Sequence, residues 1–233
     1  MQGEEQGYTR ELKRFLDAQN KGNLVCDLGC GKGAAALKII NREMRVIGGD
    51  PSEAELKVFD KRLGATRVTR HRYPEKFCPC LAGVSRGQNL SGQLYQSESV
   101  KERMSIKADT SNLSQFVGTA ACDAVDCAFV FIHICTAEGT DALRGIHQIL
   151  KPGGQFYLAT NVTEKGEGLC YSRKHNNDAS KQPTMFHCWN KDELKDKVAG
   201  LFHIRTGCLT GGGYLPDKRA FQHLCLHAVR NKM

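Results

Sequence analysis

The chain has 233 residues, 40% of them apolar and 25% charged, with a formal net charge of +8 at pH 7. That is enough for one domain with a real core, and it argues against a disordered or fibrous chain. No apolar run approaches the ~18 residues a membrane helix needs, so no membrane span is expected.

In chain order, strand and helix patterns alternate, which predicts a mostly parallel sheet with helices on both faces. Tyr8 to Gln19 reads as an amphipathic helix with Leu12, Phe15 and Leu16 on one face. Asn23–Leu28 is a short buried strand running into Gly29-Cys-Gly-Lys-Gly33, and Ala34–Ile40 is the helix that follows. Met44–Gly49 is a second strand ending at Asp50, and Pro51-Ser52 opens a helix over Glu53–Leu63. Residues 64–103 are rich in Gly, Ser, Gln and Asn and show no clean period. They read as an insertion, too long for an ordinary connection.

Order returns with a third strand, Met104–Ala108, which ends at Asp109. A fourth strand follows at Asp123–Val130, then an amphipathic helix over Ala137–Leu150. Lys151-Pro-Gly-Gly154 reads as a tight turn before a fifth strand, Gln155–Thr160. The polar stretch 163–186 reads as irregular and is a candidate lid. Asn190 predicts an N-cap for a helix over Lys191–Ala199, with Glu193 placed for a capping box. Leu201–Leu209 and Ala220–Val229 are strands joined without a helix. One domain spanning 1–233 accommodates all of this.

Eleven cysteines, an odd number scattered from Cys26 to Cys225, suit reduced thiols in a core better than a disulfide scaffold. The opening residues, MQGEEQGYTR, carry acids where a secretory signal has a basic end, so a cytoplasmic protein is expected. Between Lys57 and Lys76 seven basic residues face only Asp60 and Glu75. Such a window is either a solvated helix end or a patch for an anionic partner such as RNA.

The turn Val25-Cys-Asp-Leu-Gly-Cys-Gly-Lys-Gly33 lets the backbone bend sharply and approach a ligand beside a helix start. Alone it also satisfies the permissive dinucleotide pattern, which keeps an NAD-dependent oxidoreductase open. Asp27, two residues before the first glycine, stands where a dinucleotide-binding strand keeps an apolar side chain. The later strand ends, Gly49-Asp50-Pro51-Ser52, Ala108-Asp109-Thr110, Asp123-Ala-Val-Asp-Cys-Ala-Phe-Val-Phe-Ile-His133 and Leu150-Lys-Pro-Gly-Gly154, extend the pattern. Together these motifs, in order, resemble the class I S-adenosylmethionine-dependent methyltransferases, and within them the type 11 or UbiE-like group. The resemblance runs from about residue 20 to 162.

That resemblance implies a Rossmann-like, doubly wound α/β fold. Its sheet has seven strands in the order 3-2-1-4-5-7-6, with the seventh antiparallel. It implies S-adenosylmethionine as cofactor and S-adenosylhomocysteine as product. Gly29 and Gly31 would face the methionine part, with Asp27 organising their loop. Asp50 would accept from the ribose hydroxyls, and Asp109 would take the adenine amino group beside Thr110. Ala128 and Phe129 would border the reactive end. The plainer alternative is that each Asp caps the helix after it.

His133 is the candidate base, useful only if the acceptor loses a proton; its alternative is a packed histidine bonded to backbone. Glu138, Tyr171 and His175 are further candidates from loops. Cys78-Pro-Cys80 with His71, and His223, Cys225 and His227 on one face of the last strand, fall short of a metal pattern, so no metal is expected. The expected acceptor is a small molecule methylated on O, N or C. The alternatives are an RNA methyltransferase, cap guanine-N7-like or acting on tRNA, and a non-catalytic binding module.

Overall fold

The computed structural model describes residues 7–50, 52–63, 103–106, 117–134, 136–164, 169–173, 184–215 and 220–231. The elements are α1 (Gly7–Asp17), β1 (Leu24–Leu28), α2 (Ala34–Ile40), β2 (Arg45–Gly49), α3 (Glu53–Leu63), β3 (Arg103–Ile106) and β4 (Cys122–Ala128). A 3-10 turn, Phe131–His133, leads to α4 (Thr136–Ile149), β5 (Leu150–Thr163), β6 (Leu169–Arg173), β7 (Thr184–Asn190), α5 (Lys191–Ala199), β8 (Phe202–Tyr214) and β9 (Ala220–Arg230).

The strands β3-β2-β1-β4-β5 pair side by side and in parallel. β9 then pairs antiparallel with β5, and β8 antiparallel with β9. Numbered without the β6–β7 hairpin, this is the predicted order 3-2-1-4-5-7-6 with the seventh strand reversed. It follows from right-handed crossovers through the first five strands and a hairpin at the end.

Two stretches depart from the sequence reading. Part of 163–186, read as irregular, forms β6 and β7, which pair antiparallel from Leu169↔Cys188 to Arg173↔Thr184. β7 joins the sheet through Val162↔Trp189 and Thr163↔Asn190. Lys151 to Gly154, read as a turn, lies within β5. The turn chemistry is absorbed as a register break, with Cys122 opposite Leu150 but Ala124 opposite Gln155.

Side-chain alternation along the strands divides the core in two. Val25, Ala124, Tyr157, Ala159 and Cys225 face α1, α2 and α3, whose Leu12, Phe15, Leu16, Ala36, Ile39, Leu56 and Phe59 complete that layer. Cys26, Val125, Cys127, Phe156, Leu158 and Leu226 face the other way, toward Leu143, Ile146 and Ile149 of α4 and Leu194 and Val198 of α5. α1 is held across the sheet by Phe15 stacked on Tyr157 at 5.5 Å and by the Tyr157 hydroxyl, which donates to the Tyr8 carbonyl at 3.0 Å. Cys26, Cys30, Cys122, Cys127, Cys188 and Cys225 are buried free thiols, as expected of core cysteines. Asn190 caps α5, its side-chain oxygen accepting from the Asp192 and Glu193 amides at 3.0 and 2.9 Å.

Candidate active site

The carboxyl ends of β1, β2, β4 and β5 meet along one edge of the sheet, where open α/β sheets bind ligands. After β1 the chain turns through Gly29 with φ +66°. A Cβ there would stand 2.5 Å from a Val130 methyl, so only glycine lets this turn lie against the end of β4. The amides of Gly29 and Cys30 both donate to the Gly49 carbonyl, at 2.6 and 3.0 Å, tying the turn to the end of β2.

Asp50 sits at that junction. One carboxylate oxygen accepts from the Gly31 amide at 3.0 Å, the other from the Ser52 amide at 2.8 Å. Ser52 in turn accepts from the Glu55 amide at 3.2 Å and opens α3. Asp50 is 8% exposed. Burial pushes its carboxyl above the ordinary range, opposed by the Ser52 and Gly31 amides. The plainer sequence alternative is thus partly realised, because Asp50 organises the start of α3. It also holds the glycine turn, which a cap alone would not do.

Asp27 lies deeper, 3% exposed, and points to the α1–α3 face with Asp126 directly beside it in the β1–β4 register. Asp126 is fully buried and neither of its oxygens has a hydrogen-bond partner; one oxygen of Asp27 is likewise unmatched. Burial, then the charge of Asp126, holds the Asp27 carboxyl well above the usual range; burial raises Asp126 to about 7, eased by Lys38. Two carboxylates this close cannot both ionise cheaply, so the pair retains a proton at neutral pH. Asp27 also receives the Ala36 amide in the first turn of α2.

Stability should therefore depend on pH. The folded pair keeps its proton at a pH where the unfolded chain has lost it, so stability falls as pH rises above about 4 toward the raised folded value. Asp126→Asn should flatten that fall and be the more stable form at pH 8. The gain is about 1.4 kcal/mol per unit of displaced pKa. Urea unfolding of both forms from pH 5 to pH 8 reads it, and parallel curves would refute the shared proton.

β4 ends at Ala128, and Phe129, with φ +60°, bends the chain away while its amide donates to the Ala159 carbonyl at 2.7 Å. Both residues are half-buried at the sheet edge. The Phe129 ring packs edge-on against Tyr8 at 4.8 Å and against His223 at 5.2 Å. The sequence reading did not join Tyr8, Asn161 and His223 to the site. His133 lies in the 3-10 turn, exposed, its amide donating to the Val130 carbonyl at 2.9 Å and its ring 5.3 Å from Phe186.

Asp109, Thr110, His175, His71, Cys78, Cys80 and Arg67, Arg70, Arg72 and Lys76 of the basic window lie outside the described residues. Lys57, Lys61 and Arg62 are exposed on α3. Tyr171 falls in β6, and Glu138 is half-buried in the first turn of α4. Among the described residues no group of three His, Cys, Asp or Glu side chains is placed to hold a metal ion, and no helix is long and apolar enough to cross a membrane.

A family model described as a methyltransferase domain matches residues 2–200. No curated protein matches the chain in sequence. Among solved structures, the 1,6-didemethyltoxoflavin-N1-methyltransferase of Burkholderia thailandensis, with bound 1,6-didemethyltoxoflavin and S-adenosylhomocysteine, has a TM-score of 0.63. It is 17% identical, with 98% of this chain and 80% of that one covered. A SAM-dependent methyltransferase of Methanosarcina mazei gives 0.64 at 14% identity, covering 94% and 98%. The magnesium protoporphyrin IX methyltransferase of Synechocystis PCC 6803, with bound SAM, gives 0.57 at 17% identity, covering 95% and 77%. At such identities these structures establish the fold. The chain belongs to the methyltransferase-domain family and is a class I S-adenosylmethionine-dependent methyltransferase.

Proposed function

We propose that this enzyme methylates a small-molecule acceptor bound between the end of β4 and the start of α1. The observation that carries this reading is the half-buried aromatic group of Tyr8, Phe129 and His223 at the sheet edge beside Ala128. It offers a ring-sized apolar wall with a polar edge, suited to a compact acceptor rather than a phosphate chain. That a solved methyltransferase of this fold carries 1,6-didemethyltoxoflavin together with S-adenosylhomocysteine agrees with it.

The residues present fit the cofactor. The Gly29 turn leaves backbone bare where a Cβ would block it, and Asp50 sets a carboxylate beside that turn. In this reading Asp27 braces the turn through the start of α2, while Gly29 and Gly31 receive the methionine part. Asp50 accepts from the ribose hydroxyls with its remaining lone pairs, and Asp109 and Thr110 take adenine. Bound S-adenosylmethionine supplies an activated methyl group on sulfur. The protein's task is then to align the acceptor and exclude water. Ala128 and Phe129 border the reactive end, and His133 follows them in the 3-10 turn after β4.

Incubation with methyl-labelled S-adenosylmethionine, once with a small-molecule cell extract and once with total RNA, tests the acceptor class. Label should enter the small-molecule fraction. Label confined to RNA would overturn the reading and restore the basic window of 57–76 as a substrate surface.

A further inference from the structure

His223 was one of three residues alternating along the last strand whose chemistry the fold left unexplained. In the structure it lies opposite Asn161 of β5 and Thr210 of β8 in the strand register. Its Nδ1 is 2.9 Å from the Asn161 side-chain oxygen, and Asn161 is buried. An amide oxygen can only accept, so Nδ1 carries the hydrogen, and in the neutral ring Nε2 is left with a lone pair. Nothing among the described residues hydrogen-bonds Nε2, and it is not buried.

Four elements place this edge. Phe129 lies edge-on to His223 at 5.2 Å and Tyr8 at 6.3 Å, with Phe221 at 5.7 Å. The start of α1 is seated directly on β8: a Cβ on Gly7 would stand 2.6 Å from Thr210 Cβ. On the remaining side stands Gly211, with φ +48°. A Cβ there would come within 3.3 Å of the imidazole Cδ2 and 3.9 Å of Nε2, so glycine keeps the Nε2 edge uncovered. An oriented acceptor atom thus lies beside Gly211, on an imidazole surrounded by the rings of Tyr8, Phe129 and Phe221.

We propose that His223 binds the methyl acceptor, a flat aromatic molecule bearing a hydroxyl or ring N–H, and takes that hydrogen on Nε2 during transfer. The proposal rests on the methyltransfer reading above and supplies its acceptor chemistry. Phe129 and Tyr8, packed edge-on against each other, form one aromatic wall for the acceptor ring to lie on. The acceptor oxygen or nitrogen forms the new bond to the methyl carbon, and the electron pair of the broken carbon–sulfur bond stays on sulfur. The acceptor's proton passes to Nε2 and on to solvent. Asn161 is a positioning residue that fixes the tautomer.

Burial holds the His223 imidazole below its ordinary range, so the ring is neutral at pH 7 and able to accept. Of the groups packed against it from α1, β4, β5, β8 and β9, namely Tyr8, Phe129, Asn161, Thr210, Gly211 and Phe221, only Tyr8 is titratable.

The test uses the full chain with S-adenosylhomocysteine and two probes, 1-naphthol and 1-methoxynaphthalene, which differ in the hydrogen His223 would receive. Calorimetry should show about a tenfold preference for naphthol in the wild type, the worth of one hydrogen bond. His223→Phe should erase that preference and leave S-adenosylhomocysteine affinity unchanged. Asn161→Ala should reduce it, with nitrogen NMR of the imidazole showing mixed tautomers. Should His223→Phe fail to fold, the wild-type Nε2 resonance still decides, because naphthol should move it and the methyl ether should not. Equal affinity for both probes, or a preference that survives in His223→Phe, would overturn the proposal. A naphthol preference in a wild-type protein that fails to bind S-adenosylhomocysteine would instead overturn the methyltransfer reading and leave the ring site standing.

Discussion

Asp50→Ala should weaken S-adenosylhomocysteine binding by about ten- to a hundredfold, because a charge-assisted contact with the ribose is worth roughly 1.5–3 kcal/mol. From sequence alone the substitution leaves the fold intact, since the carboxylate stands at a strand end within reach of a ribose and outside the core. The structure alters that expectation. The Asp50 carboxylate accepts the Gly31 and Ser52 amides, so removing it also frees the glycine turn and the start of α3. Stability should therefore drop as well, by about 1–2 kcal/mol. Asp50→Asn separates the two effects, because one oxygen remains to hold an amide while the charge is gone. Calorimetry on both variants, with urea unfolding alongside, reads them. Unchanged affinity in a folded Asp50→Ala protein would remove Asp50 from the cofactor site.

Trp189→Ala should have the largest effect on stability, a loss of about 3–5 kcal/mol. Trp189 is fully buried at the end of β7, its indole N–H donating to the Phe131 carbonyl at 2.8 Å and its ring 5.7 Å from that of Phe131. It also lies on Gly139 of α4 so closely that a Cβ there would stand 2.2 Å from the indole. One side chain therefore ties the β6–β7 hairpin to the turn that carries His133. Trp189→Phe keeps much of the apolar surface but takes the indole donor from the Phe131 carbonyl, which retains the Ile134 amide at 3.3 Å, an intermediate loss of about 1–3 kcal/mol. Urea midpoints rank the three proteins, and an Ala variant within about 1 kcal/mol of wild type would contradict this packing.

These two sites differ in how readily sequence reveals them. The glycine turn, Asp50 and the helices over Glu53–Leu63 and Lys191–Ala199 announce themselves locally, through turn chemistry, capping residues and a helical period. The final hairpin was legible for the same reason, as two apolar strands with only a Gly-rich loop between. β6 and β7 were not, because they are short, the sequence between them is polar and loop-like, and their main pairing is with each other. Asp126 stood in plain view in Asp-Ala-Val-Asp-Cys, but its contact with Asp27 exists only through the β1–β4 register. The group of Tyr8, Phe129, Asn161 and His223 comes from four elements spread over most of the chain. Read along β9 alone, His223, Cys225 and His227 form a stripe. Across the sheet, His223 meets Asn161 at the open edge, while His227 lies beside Phe15 and Tyr157 in the α1 layer.

The most direct test of the central claim is cofactor choice by the wild-type protein, measured as the shift in unfolding free energy with S-adenosylhomocysteine and, separately, with NAD. S-adenosylhomocysteine at about 100 times its dissociation constant should add roughly 2.7 kcal/mol, with NAD leaving stability unchanged. Stabilisation by NAD with none from S-adenosylhomocysteine would contradict it.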